Sequence, residues 1–103
     1  MRLQTVSQTG VGSSSPIVMN LNATPFNVGF GVVKTDTVDY TVQHTFDDPN
    51  VALSTWFPHP TVAAQIANAD GNYAFPVTAI RVTMNSGDGT VTLKLIQIGR
   101  AHV

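Results

Sequence analysis

The stretch "VDYTVQHTFDDPN", residues 38–50, decides the fold class of this chain. From Val38 to Phe46, apolar or aromatic residues alternate with polar ones, which is the pattern of a half-buried β-strand. The following "DDPN" predicts a turn, because Asp and Asn bond their own backbone there and Pro cannot continue a ladder. The pattern therefore predicts a long strand with Val42 and Phe46 facing the core, where Phe46→Ala would cost about 3–5 kcal/mol.

The same stretch contains residue types that could form a chemical site. His44, Asp47 and Asp48, together with His59, are the candidate metal ligands. No HxH or HExxH pair accompanies them, and "DDPN" is too short for an EF-hand loop. Neither a nucleophile elbow nor a phosphate-binding loop occurs, and Glu is absent from the chain. We therefore expect no catalytic residue, no metal ligand and no cofactor, and we interpret the stretch as structural.

The composition favours β-structure throughout. The 103 residues include 14 Val and 13 Thr but no Glu and only 2 Lys, so strong helix formers are scarce and β-branched residues abundant. Further strands are predicted by period-two alternation in "NVGFGVV", "AIRVTMN" and "TVTLKLIQIG". Two of their connections, "KTDT" and "SGDG", are typical of hairpins. The spacing predicts a β-sandwich or jelly roll of about seven to eight strands.

Other segments carry less regular signals. "TVAAQIANA", from Thr61, predicts one or two helical turns. Gly29 and Gly31 share one face of a strand and suggest a close approach by a neighbouring group. Trp56 and Phe57 cannot point the same way in an extended chain, so we expect one to plug the core and the other to face a partner.

The domain organisation is simple. Residues 1–16 form an N-terminal arm or edge strand ending in a Gly/Ser-rich loop, and residues 17–103 form a single β-sandwich domain. The arm carries few large apolar residues, so we expect it to be poorly ordered in an isolated subunit and to contact another chain.

Charge and cysteine content narrow the possible partners. The net charge is −1, only 11% of residues are charged, and no basic stripe exists, so we expect no nucleic-acid partner. The longest apolar run is too short to span a bilayer, and no secretory signal is visible, so we expect no membrane partner and synthesis in the host cytoplasm. The absence of Cys excludes disulfides and thiolate chemistry. The low charge suits either a protein that buries its surface against partners or an ordinary uncharged β domain.

Three stretches together, "PFNVGFGVV", "DYTVQHTFDDP" and "YAFPVTAIRVTMNSGDGTVTLKLIQ", resemble small virion structural proteins of tailed bacteriophages. The resemblance extends from about Asn20 to Gln97. It implies a β-rich, non-enzymatic subunit present in many copies on a virion, with a head decoration (cement) role favoured and a tail or head–tail connector role as the alternative. It carries over no ligand or catalytic residue.

The expected partners are the major capsid protein or another virion protein, and further copies of this chain. An alternative of another class is a carbohydrate-binding β-sandwich module that uses Trp56 and Phe57. The candidate partner-contact residues are those of the arm, the aromatic pair and the last strand: Arg2, Leu3, Val6, Trp56, Phe57, Ile96 and Ile98.

Overall fold

The computed structural model describes residues 2–19, 24–48 and 54–100. Regular structure in these ranges is entirely β, which confirms the predicted all-β sandwich, and none of the described residues belongs to a helix that could cross a membrane. The described residues form nine strands: β1 (Arg2–Thr9), β2 (Gly12–Ser13), β3 (Ile17–Val18), β4 (Thr24–Thr35), β5 (Asp39–Thr45), β6 (Trp56–Pro58), β7 (Ala69–Tyr73), β8 (Ala79–Ser86) and β9 (Thr90–Arg100).

The strands form two antiparallel sheets. Sheet A has the order β1-β9-β4-β7, and sheet B has the order β2-β8-β5-β6, with β3 also paired to β8. Along the chain the strands fall into four consecutive groups, and each group places strands in both sheets. The groups are β1 with β2 and β3, β4 with β5, β6 with β7, and β8 with β9. In both sheets the strands of these groups lie in the spatial order first, fourth, second, third. This strand order is that of a jelly roll, the second of the two predicted architectures.

The outer strand of sheet B is divided into β2 and β3, which raises the strand number above the predicted seven or eight. Ser14 lies between them and maintains the ladder. Its N–H donates to the Val82 carbonyl at 2.9 Å, and its hydroxyl accepts from the Val82 N–H at 3.1 Å. The hydroxyl replaces a backbone carbonyl, so the pairing with β8 continues even though the outer strand is interrupted.

Both predicted hairpins are wrong, because each connection carries the chain from one sheet to the other. Thr35 pairs with Thr90 in sheet A, and Asp39 pairs with Ser86 in sheet B. The two connections, residues 35–39 and 86–90, therefore run side by side, and we call them the glycine corner. Short polar, Gly-containing turns have the same composition in both geometries, so local sequence does not distinguish them.

The glycine corner is held by direct backbone contact. The Gly89 N–H donates to the Thr37 carbonyl at 2.9 Å. A Cβ at Gly89 would overlap the Thr35 carbonyl oxygen and lie 2.8 Å from that of Thr37. Gly87 has a φ of 100°, a conformation that favours glycine. No other residue fits at Gly89 without moving the neighbouring connection.

The core lies between the inner faces of the two sheets, as the alternation predicted for β4, β5, β8 and β9. The prediction for Phe46 is wrong: β5 ends at Thr45, and the Phe46 side chain is exposed. The expected 3–5 kcal/mol for its truncation therefore does not apply. The core consists of Ile17, Met19, Val28, Phe30, Val32, Val38, Tyr40, Val42, Val62, Tyr73, Val77, Ile80, Val82, Met84, Val91, Leu93 and Leu95.

The predicted helical turns after Thr61 are also wrong. The backbone of this segment bonds to β5 instead: Val42 N–H donates to the Val62 carbonyl at 3.0 Å, and Tyr40 and Gln65 exchange two bonds of 2.9 and 2.8 Å. These bonds cover the edge of β5 that the short strand β6 leaves open. A tertiary hydrogen-bond acceptor has thus overridden a weak local helix preference.

The first segment of the chain is a strand rather than a free arm. β1 pairs with β9 at every position from Arg2 to Thr9 and forms the edge of sheet A. Val6 packs against the core. The expectation of poor order is wrong for this range, whereas contact with another chain stays a prediction.

Candidate functional site: an aromatic patch at one end of the sandwich

Three phenylalanine side chains lie together at the end of the sandwich opposite the glycine corner. Phe46 directly follows β5, Phe57 is the central residue of β6, and Phe75 lies two residues after β7. Their side chains are 54%, 44% and 40% exposed. The ring centroid of Phe46 lies 5.7 Å from that of Phe57 and 6.3 Å from that of Phe75. We call these three residues the aromatic patch.

His44 lies directly beneath the aromatic patch and contacts all three rings. Its ring centroid is 5.4 Å from Phe46, 5.9 Å from Phe57 and 5.6 Å from Phe75. His44 is only 5% exposed, and its Nδ1 is hydrogen-bonded to the Tyr73 hydroxyl at 2.8 Å. The fixed imidazole gives the three exposed rings a rigid base.

Below His44 the aromatic contacts continue into the core. Tyr73 contacts both Phe30 and His59, at centroid distances of 5.6 and 4.9 Å. Gly71 provides the space for this packing, because a Cβ there would lie 3.0 Å from Phe30 and 3.1 Å from His59. The patch is therefore the exposed end of a cluster of aromatic rings that begins in the hydrophobic core.

His59 is held in one tautomer by its neighbours. Its Nδ1 accepts from the backbone N–H groups of Thr61 and Val62, both at 3.1 Å. Nδ1 therefore carries no proton, and Nε2 donates to the Asn72 carbonyl at 3.0 Å. Both ring nitrogens are engaged, so His59 has no nitrogen left for a metal ion.

Burial favours the neutral forms of His44 and Tyr73 in this cluster. Burial disfavours the imidazolium form and lowers the pKa of His44 below its ordinary value of 6.5, and the nearby His59 lowers the His44 pKa further. Burial likewise raises the pKa of the Tyr73 hydroxyl. His44 and Tyr73 thus meet as two neutral groups at neutral pH.

The two candidate carboxylates, Asp47 and Asp48, lie just after the end of β5. Asp47 follows the strand, as predicted, and its Oδ2 accepts from the Thr55 N–H at 2.8 Å. Asp48 is exposed. The described residues contain no group of three or more His, Cys, Asp or Glu side chains placed to hold a metal ion together.

Trp56 and Phe57 point to opposite faces of sheet B, as their adjacency predicted, but neither plugs the core. Trp56 is half-buried on the outer face, where the Arg81 guanidinium lies 4.2 Å from its ring centroid. Arg81 Nε donates to Gln43 Oε1 at 2.8 Å, and the Thr83 hydroxyl donates to the same oxygen at 2.8 Å. Trp56 is therefore covered by a polar network, whereas Phe57 belongs to the aromatic patch.

The remaining candidate contact residues lie on β1 and β9. Leu3 and Ile96 are paired in register on the outer face of sheet A, and both are exposed. Val6 points inward and is partly buried. Arg2 and Ile98 belong to these strands, but their side chains lie outside the description.

Gly29 and Gly31 face solvent on the outer face of sheet A, and the predicted close approach is not there. A Cβ at Gly29 would meet nothing within 4 Å, and one at Gly31 would lie 4.0 Å from the Ala69 carbonyl oxygen. Gly31 instead lines a shallow, open depression of about 310 Å³ beside Val33, Ala69 and Asp70. It is open to solvent and lacks the enclosed walls of a small-molecule site.

Sequence reasoning identified Phe57 but missed Phe46 and Phe75 as surface residues. Phe46 continues the apolar alternation of β5, and nothing local shows that the strand ends one residue earlier. Phe75 precedes Pro76, which signals the end of a strand but not the exposure of the side chain.

Comparisons with protein-family models, with curated proteins and with solved structures found no match for this chain.

Proposed function

We propose that this chain is a non-enzymatic structural protein of a tailed-bacteriophage virion, where it decorates the capsid and stabilises the head. The aromatic patch is the observation that carries the proposal, because it gives a small domain with few charged residues a surface suited to another protein. The sequence resemblance supplies the virion context. A tail or head–tail connector role uses the same surface and differs only in location.

The composition of the patch fits protein recognition. Aromatic side chains are enriched at the centres of protein interfaces, and a few of them carry most of the binding free energy. Adjacent exposed apolar side chains on a monomer commonly mark such sites. Phe46, Phe57 and Phe75 meet these criteria, since they are exposed and lie side by side.

The support beneath the patch lowers the cost of binding. An interface loses free energy when mobile side chains must be ordered on association. Here His44 contacts each of the three rings and is itself fixed by Tyr73. The rings are held in place before a partner arrives, so a larger share of their contact energy contributes to affinity.

The jelly-roll strand order is compatible with the proposal. Jelly rolls occur in viral capsid proteins, in lectin domains and in cupins, and a fold does not by itself assign a function. The carbohydrate-binding alternative relied on Trp56 and Phe57 acting together. Because these side chains lie on opposite faces of sheet B, they cannot stack on one sugar, and Trp56 is already covered by Arg81.

Localisation on purified particles tests the proposal directly. Antibodies against the chain should label phage heads in electron micrographs. Label confined to the tail or neck would favour the connector role. The absence of the chain from purified particles, by labelling and by mass spectrometry, would refute the virion assignment.

Variants of the patch test its role in attachment. Phe46→Ser combined with Phe75→Ser should reduce binding to particles that lack the protein at least about tenfold, which corresponds to about 1.4 kcal/mol. Ile66→Ser is the matched control, because Ile66 is 69% exposed and lies outside the patch. Equal coating by the double variant and the control would show that the patch is not the attachment surface.

A further inference from the structure

The edges of the two sheets differ in how they are protected against pairing with another chain. Exposed edges are usually short, charged, interrupted or marked by Pro. In sheet B, β6 has three residues and includes Pro58, and the opposite edge is broken between β2 and β3, where Pro16 lies. In sheet A, β7 has five residues and includes Asp70. These three edges are therefore protected.

The edge formed by β1 lacks these protections. It has eight residues, and from Leu3 to Thr9 it includes no proline and no charged residue. β1 pairs with β9 on one side, and no other described strand pairs with it. A long, uncharged strand of this kind is a template for further strand pairing.

The hydrogen-bond pattern shows which backbone groups face outward. The Gly10 N–H donates to the Gly89 carbonyl at 3.1 Å, and antiparallel pairs alternate between bonded and non-bonded. Even-numbered positions of β1 therefore bond to β9. The backbone groups of Leu3, Thr5, Ser7 and Thr9 face away from the sheet. The Gln8 side chain covers one of them by donating to the Thr9 carbonyl at 3.3 Å.

We propose that β1 pairs with β1 of a second copy of this chain, antiparallel and about a two-fold axis at Val6. This register lets the outward backbone groups of Leu3–Thr9 bond to those of the second copy. The two A sheets then join into one continuous sheet, and the two-fold symmetry closes the assembly at a dimer.

The side chains of β1 are self-complementary in this register. Thr5 lies opposite Ser7 of the second copy, and hydroxyl pairs of this kind already join β1 to β9: Ser7 to Thr92 at 3.0 Å and Thr9 to Thr90 at 2.9 Å. Val6 meets its own counterpart, and no charges oppose each other. This self-complementarity favours a second copy over an unrelated strand as the occupant.

The dimer should be weak in solution. A pairing of one strand with another buries less than about 1,200 Å² in total, which is typical of transient complexes. Self-association should therefore appear between roughly 1 µM and 1 mM protein. The inference is independent of the proposed function, since it rests on β1 and not on the aromatic patch.

A single proline substitution in β1 tests the proposed pairing, with the oligomeric state measured by analytical ultracentrifugation. Thr5→Pro removes an outward N–H and should abolish the dimer while the monomer stays folded, because edge strands tolerate Pro where the N–H faces solvent. Thr5→Ala is the matched control, since it removes the same side chain but keeps the N–H, and it should still dimerise. A wild-type chain that stays monomeric throughout this range would refute the inference. So would an unchanged dimer in Thr5→Pro.

A pair of charge variants tests the identity of the partner and the register. The variant with Thr5→Lys and Ser7→Lys, and the variant with Thr5→Glu and Ser7→Glu, should each be monomeric, because like charges then oppose each other across the axis. An equimolar mixture should form a heterodimer. If the mixture does not associate, β1 does not pair with itself in this register. That outcome would also be expected if β1 binds a different protein.

Discussion

At one end of the sandwich, two chain connections pack backbone against backbone, whereas at the other end, about 20 Å along β5, three phenylalanine rings are exposed. The glycine corner excludes any side chain at Gly89, and its contacts are carbonyl oxygens and N–H groups. The aromatic patch has the reverse composition: large side chains, a buried histidine base and open solvent above. The corner holds the two connections together, whereas the patch leaves three aromatic rings exposed to solvent.

The largest expected effect lies in the glycine corner. Gly89→Ala should destabilise the protein by about 4 kcal/mol or more, because the new Cβ overlaps backbone atoms that cannot rotate away. Chemical denaturation measures the difference. Gly29→Ala is the control, since its Cβ meets nothing within 4 Å and the change should be within about 0.5 kcal/mol. Similar losses for the two variants would show that the corner is no more tightly packed than the open sheet face.

The base of the aromatic patch should show an intermediate effect. Tyr73→Phe removes the hydroxyl bonded to His44 and leaves a buried ring nitrogen without that partner, which should cost about 1–3 kcal/mol. Equilibrium unfolding of the variant gives the value. A loss below about 0.5 kcal/mol would indicate that the hydrogen bond does not hold His44 in place.

The smallest expected effect is a pH dependence of the protein's stability that comes from His44. His44 has a lower pKa in the folded chain than in the unfolded one, so the unfolded state binds more protons as the pH falls. Stability from this group is complete above the unfolded pKa of about 6.5 and is lost as the pH drops below it, by at most about 1.4 kcal/mol per pH unit.

A comparison of unfolding at pH 7.5 and pH 5 checks this slope, with His44→Gln as the variant that cannot titrate. The loss between the two pH values should be smaller in His44→Gln than in the wild type. Equal losses would assign the acid sensitivity to other groups.

Local patterns determined the strands and their buried faces because a strand with one face in the core repeats every two residues. This rule placed Val42 correctly, and it failed at Phe46, where the pattern continues one residue beyond the ladder. The missing Glu and the abundant Val and Thr were enough to predict an all-β chain.

Only the tertiary structure decided which strands share a sheet and which side chains meet. The two Gly-containing connections look like hairpins locally, and the pairing of β4 with β9 and of β5 with β8 makes them inter-sheet corners. Phe46, Phe57 and Phe75 come from three separate segments, so no local pattern could group them. Their exposure and the open edge of β1 depend on where neighbouring strands end. That is a property of long-range packing and not of the sequence around each residue.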